Sequence, residues 1–258
     1  VSIVGEEYVG GLIAAVEADD KLQIENCSVT GNITGTNWVG GIAGILRGVV
    51  INCHTDANVS SRLSSYYTGG LAGNAYRATI TNCRAFGNAA GYRNMGGLLG
   101  YVQDCSINQC YAFADVGPIS GATNCSNVGG FIGSCHVDAT ITDCYSRGDV
   151  NGSSAVGGFS GFNYGTSIIR CYSSGAVTAE ISCGGFTGFT NDPIAINTDC
   201  YYDSDTSGCS DTGNGEPMTT AEMKDSSNYS GSWNFSTVWN ISPSINDGYP
   251  YLRNTPTE

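Results

Sequence analysis

The chain has 258 residues, of which only 13% are charged, and 23 acidic against 10 basic side chains leave a net charge of −13. A surface of that sign repels a phosphate backbone, and no basic stripe interrupts it, so nucleic acid is excluded as a partner. No apolar run approaches the roughly 20 residues that cross a bilayer, and the N-terminus lacks the basic-then-apolar pattern of a signal peptide; the expectation is a mature or excised product without a transmembrane segment.

From the N-terminus, Val1 to Val4 reads as the tail of a coil, and a glycine block then recurs seven times, beginning at Gly10, Gly40, Gly69, Gly96, Gly129, Gly157 and Gly184. Self-similarity at a spacing of 20 to 50 residues marks a repeat architecture. Each block is followed by a cysteine, at Cys27, Cys53, Cys83, Cys110, Cys144, Cys171 and Cys200. An apolar residue stands three places before it (Ile24, Val50, Ile80, Ile107, Ile141, Ile168) and another six places after (Ile33, Val59, Ala89, Val116, Val150, Val177). Short apolar-polar alternation without sustained helical spacing predicts strands. A unit of about 28 residues accommodates three short strands and their turns, the cross-section of a parallel β-helix, and seven coils at about 4.8 Å each give a rod roughly 34 Å long. Leu12, Ile42, Leu71, Leu98, Phe131, Phe159 and Phe186 are expected to stack inward. The glycines around them are expected to serve bends and close approach. A phosphate cradle is a poor reading of GGFxG, for no helix signal and no Lys-Ser/Thr follows.

The block [hydrophobic]-GG-[hydrophobic]-x-G, followed by x-N/D-C-Y-S-x-G-x-V, resembles the GLUG-motif repeats of prokaryotic surface proteins and adhesins. The resemblance covers residues 9 to about 200. It extends into Tyr202-Asp-Ser-Asp-Thr-Ser-Gly208, Met218-Thr-Thr-Ala-Glu-Met223, Trp233-Asn-Phe235, Trp239, Ile241 and Gly248-Tyr-Pro-Tyr-Leu252, which is similar to the segment that closes such arrays. It implies an exported, cell-surface β-solenoid and specifies no reaction. The first repeat departs from the pattern, with Ala14 in place of the third glycine and a longer path to Cys27.

The cysteine column packs equally well as small apolar side chains or as covalent staples. Cys105, Cys125, Cys135, Cys183 and Cys209 lie outside it. Cys200 with Cys209, bracketing a short loop, and Cys105 with Cys135, at similar offsets in adjacent repeats, are the expected disulfides. Zinc is disfavoured by the lack of Cys-x-x-Cys and by a histidine content of two, His54 and His136. Eight Asn-x-Ser/Thr sequons, at Asn26, Asn32, Asn58, Asn124, Asn151, Asn228, Asn234 and Asn240, together with the even cysteine count, favour an extracellular address.

The residue before each column cysteine is Asn26, Asn52, Asn82, Gln109, Asp143, Arg170 or Asp199. Asp143, Arg170 and Asp199 would serve a glycan-active β-helix enzyme only if they lined one groove, whereas mixed charges on a solvated face are the ordinary case; the sequence expectation is a protein without enzymatic activity. Tyr111, Tyr145, Tyr172 and Tyr201 follow four successive column cysteines, and alternation turns them outward as a candidate contact strip. Asp203, Asp205, Ser207 and Asp211 have the 1, 3, 5, 9 spacing of a calcium loop with glycine at position 6, although position 12 is Asn214. The repeat fails after residue 203. Thr219 and Glu222 have capping-box spacing for one short helix, and Trp233, Phe235, Trp239, Ile241, Tyr249 and Leu252 supply an apolar cap.

The sequence thus predicts an all-β parallel β-helix of about seven coils (residues 1–203) with a C-terminal capping segment (204–258) containing one short helix. The expected function is an extracellular structural subunit of a surface filament, sheath or layer, a homo-oligomer or homopolymer joined through ends, edges or disulfides. An adhesin module binding glycan, host or matrix ligands is the nearer alternative, and a polysaccharide-active enzyme the more distant one.

Overall fold

The computed structural model of the chain describes residues 1–16, 22–191, 195–209 and 214–254. The repeats wind into a parallel β-solenoid of seven coils. Its strands fall into an 18-stranded and a 12-stranded parallel sheet among the described residues. Coil six shows the plan. Val150–Gly157 runs up to the double glycine, Ser160–Asn163 leaves it, Ser167–Ile169 precedes the cysteine, and Tyr172–Ser173 follows it. Each segment pairs in parallel with its equivalent one coil away, as in Val150↔Val177, Ser160↔Thr187, Ile141↔Ile168 and Tyr145↔Tyr172.

A coil therefore contains more short straight runs than the three expected, because left-handed residues bend it at several corners. The residue before the column cysteine has φ between 51° and 54° in every coil, from Asn26 through Asn52, Asn82, Gln109, Asp143 and Arg170 to Asp199. Asn and Asp tolerate this conformation better than other non-glycine residues because their short side chains bond locally. The amide-rich column is thus first a corner requirement.

The glycine columns answer to space. A Cβ on Gly158 would lie 2.2 Å from the Gly185 carbonyl oxygen, and one on Gly130 would lie 2.2 Å from that of Gly158. Gly161, the third glycine of its block, would bring a Cβ to 2.4 Å from the Val128 nitrogen. None of these three has a positive φ, so they are required by backbone approach between coils rather than by conformational freedom.

Ile42, Leu71, Leu98, Phe131, Phe159 and Phe186 are fully buried and form one core with the column cysteines. Phe159 stacks between Phe131 (4.7 Å) and Phe186 (4.9 Å). Leu12, in the first coil, is 48% exposed. Val116, Val128, Val150, Val156 and Val177 build a smaller second core between the return strands and the glycine strands.

After the last coil, Glu216–Met218 adds one more parallel strand, against Tyr201–Asp203. Gly215 lies against Phe186, and the Asn197 amide donates to the Asn214 carbonyl at 2.7 Å, closing that end of the stack. Helix α1 (Thr220–Met223) follows, with the expected capping box between Thr219 and Glu222. From there the chain turns back and runs along the flank of the solenoid. A short antiparallel pair, Trp239–Asn240 with Tyr251–Leu252, stiffens this strap.

Candidate contact surfaces

The tyrosine ladder is where alternation places it, outside the main core, but it is no contact strip. Tyr111 and Tyr145 stack at 4.8 Å, Tyr145 and Tyr172 at 5.0 Å, and the four rings are at most 3% exposed. The strap covers them. Trp239 lies 6.0 Å from Tyr145 and 6.1 Å from Tyr172, and Trp233 packs on Tyr201 at 5.8 Å. The Tyr172 hydroxyl donates to the Pro250 carbonyl (2.7 Å) and accepts from the Asn246 amide (2.9 Å). Arg147 clamps the same stretch, donating to the Asn246 carbonyl and side chain and to Asp247, with its guanidinium 4.5 Å over Tyr249. Burial raises the Tyr145 and Tyr172 hydroxyl pKa values, as expected where phenolate would lose its solvent.

The charged trio is drawn into this seam. Arg170 and Asp143 form a bidentate pair, with both N–H···O distances 2.8 Å, and Trp239 Nε1 donates to the same carboxylate at 3.1 Å. The Asp143 hydrogen bond raises the Arg170 pKa further. Asp199 accepts from the Ser232 hydroxyl at 2.5 Å, while its carbonyl accepts from Trp233 Nε1 at 3.0 Å. These residues hold the strap down and line no shared groove.

The calcium-loop residues are also engaged. Asp203 is fully buried, and its carboxylate accepts from the Asp205 and Thr206 backbone N–H groups, from the Thr220 hydroxyl at 2.7 Å and from the Tyr249 hydroxyl. Asp205 accepts from the Thr220 N–H at 3.0 Å, and the Ser207 hydroxyl donates to the Cys209 carbonyl at 3.1 Å. Asp211 lies outside the described residues. Among those residues, no group of three or more His, Cys, Asp or Glu side chains is placed to hold a metal ion.

Both expected disulfides are replaced by another. Cys183 bonds to Cys209, with Cα atoms 5.9 Å apart. Cys200 faces the core column instead, its thiol 3.3 Å from the Ile168 carbonyl, whereas Cys209 lies on the return-strand side beside Val177. Cys105 and Cys135 fail to meet because the register sets Cys135 opposite Val102. The column cysteines are free thiols, each donating to the carbonyl two residues earlier, as Cys144 does to Thr142 at 3.2 Å. Neighbours interlock as well: the Cys144 N–H points at the Cys171 sulfur at 3.4 Å. Burial pushes the Cys105 and Cys135 thiols up to about 11. Seven of the sequon asparagines are exposed and Asn240 is half-buried; three of them join amide ladders, Asn26 accepting from Asn52, and Asn58 donating to Asn32.

A second aromatic ladder went unread in the sequence and has no cover. It climbs a different side of the solenoid. Tyr8 stacks on Trp38 (4.7 Å), Trp38 meets Tyr67 (5.9 Å), Tyr67 meets Tyr101 (5.2 Å), and Tyr101 meets His136 (4.7 Å). His136 reaches Phe162 (5.9 Å) and Tyr164 (5.6 Å), and Phe162 stacks on Phe189 (5.8 Å). Every coil contributes a ring. All are solvent-accessible, with Tyr66, Tyr164 and Phe189 at 50%, 37% and 44% exposure along the edge. The rings escape a sequence reading because they occupy three repeat positions. In the first three coils they come from just before the double glycine, in the fourth, sixth and seventh from the strand after it, and in the fifth from His136, two residues past the register position held by Ser134.

The family model described as the GLUG motif matches residues 5–34, 64–89 and 152–178, so these three repeats are GLUG motifs. Two proteins named Immunoglobulin A1 protease, from Streptococcus pneumoniae and from its serotype 4, are each 30% identical over 163 residues; the match takes in 62% of this chain and 7% of the length of each relative. A crystal structure of an immunoglobulin A1 protease-like protein from Bacteroides ovatus aligns with a TM-score of 0.47 and 19% identity, covering 96% of this chain and 64% of the other. The family-model and sequence matches support an extracellular surface protein as the kind to which the chain belongs. They also correct one expectation: the relatives bear the name of an enzyme, so a protein without enzymatic activity is no longer what similarity implies. No helix among the described residues is long and apolar enough to cross a membrane.

Proposed function

We propose that this chain is a rigid solenoid segment of a surface protein akin to those named Immunoglobulin A1 protease, and that it makes adhesive contact through the flank bearing the uncovered aromatic ladder. One observation carries the reading. The molecule has two aromatic ladders; its own C-terminal strap seals one, and the other keeps solvent contact across seven coils, half-buried from Tyr8 to Phe162 and exposed at Phe189. Contiguous exposed rings on a monomer mark interaction surfaces. Tyr and Trp in such rows supply contact area at little entropic cost. The stacked core holds the ladder straight, which is what a rigid scaffold contributes to binding.

Assembly into a filament through stacked ends is the weaker reading. Residues 214–218 close one end of the stack over Phe186 and Asn197, and an incoming solenoid would meet strand edge there only along Glu216–Met218.

The test is solid-phase binding of the purified chain to immunoglobulin A1, to matrix proteins and to polysaccharides, with immunoglobulin A1 cleavage read in the same samples. The triple variant Trp38→Ala/Tyr101→Ala/Phe162→Ala should lose the binding that the parent shows. Equal binding by parent and variant would refute a ladder-mediated contact, and heavy polymers in sedimentation would favour assembly instead.

A further inference from the structure

The ladder's geometry and its polar hem also point to the ligand class, an inference that rests on the adhesive reading above. We infer that the ladder binds an uncharged polysaccharide, laid along the solenoid as an extended chain.

Shape is the first argument. Rings recur once per coil at centroid separations of 4.7 to 5.9 Å, giving a track one or two rings wide that continues over seven coils. A standard protein partner covers a broad patch of about 800 Å² per side. A narrow, periodic track instead suits a thread-like ligand with a repeating unit.

The second argument is chemical. A sugar ring presents a C–H face that packs on an aromatic ring and hydroxyls around its rim that need partners. The ladder is hemmed by groups of that complementary kind. Asn37, beside Trp38, and Asn74, in register with Tyr101, each have a buried Oδ1 with no hydrogen-bond partner. Further along stand the Asn127–Asn94 amide pair (2.9 Å), the Tyr101 hydroxyl on Gln103 (3.2 Å) and Ser134 with His136 (3.1 Å).

Charge is the third. None of the rings or hem groups is cationic; burial lowers the His136 pKa and keeps that ring neutral. The chain as a whole carries −13. Arg47 and Arg77, over Tyr76 in register with Gln103, are local cations rather than a row along the rings, so an acidic glycan, or a nucleic acid whose bases would also stack there, meets net repulsion. A neutral polymer meets none.

The experiment is calorimetry and affinity electrophoresis of the full chain with soluble β-glucan, galactomannan and xylan as neutral probes, polygalacturonate as the acidic probe and immunoglobulin A1 as the protein probe. Sedimentation equilibrium of the chain alone runs in parallel. At least one neutral probe should bind, and the Trp38→Ala/Tyr101→Ala/Phe162→Ala variant should weaken it by at least about ten-fold. Phe189→Ala, at an exposed ring that needs no repacking, should weaken it by a smaller factor with an unchanged unfolding midpoint. Ile196→Ala, exposed on another strand, should leave it unaltered. Ladder-dependent binding of polygalacturonate or immunoglobulin A1 without any neutral probe would overturn the inference and leave the adhesive reading standing. A monomer–dimer equilibrium abolished by the ladder variants would assign the surface to a second copy. Absence of any ladder-dependent binding or association would overturn both.

Discussion

Gly158→Ala isolates what holds the coils at their spacing. The added Cβ would sit 2.2 Å from the Gly185 carbonyl oxygen and 2.9 Å from Ser173 Oγ. The serine can swing away, but the carbonyl belongs to the next coil and accepts the Ser173 hydroxyl at 2.7 Å. Relief requires coil seven to lift by about 1 Å if ordinary carbon–oxygen contact is to be restored. That lift stretches two inter-coil hydrogen bonds, from Gly158 N–H to the Gly184 carbonyl (3.2 Å) and from Phe159 N–H to the Phe186 carbonyl (2.8 Å). Overpacking of this kind costs about 1–3 kcal/mol, each weakened hydrogen bond adds about 1 kcal/mol, and alanine's lower unfolded-state entropy returns about 0.4–1 kcal/mol. The net expectation is a loss of about 3 kcal/mol. Urea unfolding followed by tryptophan fluorescence reads it well, because Trp233 and Trp239 report on the strap and Trp38 on the second coil. Since solenoid stability is a sum of neighbouring terms, the strap signal should move to lower urea more than the Trp38 signal. Gly231→Ala, where nothing lies within 4 Å of the new Cβ, is the control and should stay within about 0.5 kcal/mol. An unchanged midpoint for Gly158→Ala would refute the backbone-approach account of the glycine columns.

Four further outcomes are expected. Trp239→Ala empties a fully buried site over Tyr145 and Tyr172 and should cost about 3–5 kcal/mol, with faster proteolysis of the strap than of the coils. Replacing Cys183 and Cys209 by serine opens a crosslink between residues 26 apart and should cost about 3.5 kcal/mol by the chain-entropy estimate; an equal midpoint for the reduced and oxidised parent would contradict it. Thiol titration of the native chain should find the ten free cysteines slow, with half-buried Cys27 the first to react, and all ten should react in denaturant. The pH dependence follows from Cys105 and Cys135, whose folded pKa of about 11 stands above 9.0 in the unfolded chain. Raised thiol values leave stability intact below pH 9 and remove it as pH climbs toward 11, by about 2 kcal/mol per thiol at pH 10.5. Cys135→Ala should flatten that decline, and a slope identical to the parent's would argue against it.

The solenoid was legible because its determinants are local and repeated. Gly158, Phe159 and Cys171 each recur at their own repeat position, and a residue type that recurs in a parallel coil stacks on its own kind. The disulfide was not legible. Spacing alone made Cys200 with Cys209 the natural pair, yet facing is decided by strand alternation and by which core a strand borders. Cys200 belongs to the main core, whereas Cys183 borders the valine core of the return strands. The corner conformation was equally hidden. A run of Asn and Asp before the cysteine reads as a polar surface column until φ near 52° shows that it is a turn requirement, and Arg170 and Gln109 then stand out as residues accepting backbone strain.

The exchange of the two aromatic ladders has the same origin and says something about how this surface works. The tyrosine ladder announces itself because its four rings share one repeat position. Identical rings in register stack at 4.8 to 5.0 Å with nearly parallel planes and leave one continuous apolar face. Such a face binds whatever apolar segment is at the highest effective concentration, and the chain's own Trp233–Trp239–Tyr249 strap, tethered to the same solenoid, outcompetes a free ligand. The second ladder is mixed in ring type, with His136 among Tyr, Trp and Phe, and interrupted at its edges by Asn37, Asn74, Asn94 and Asn127. Its interplanar angles range from 9° to 70° between successive coils. An irregular row of that kind offers a packed strap less continuous area and offers a hydroxylated ligand more partners. Regularity thus favours the intramolecular cover, and irregularity leaves the other flank without one. Grafting this logic in reverse gives a direct check: Trp239→Ala/Trp233→Ala should expose the tyrosine ladder and create nonspecific apolar adsorption, read as dye binding and aggregation, without the saccharide selectivity proposed for the second ladder.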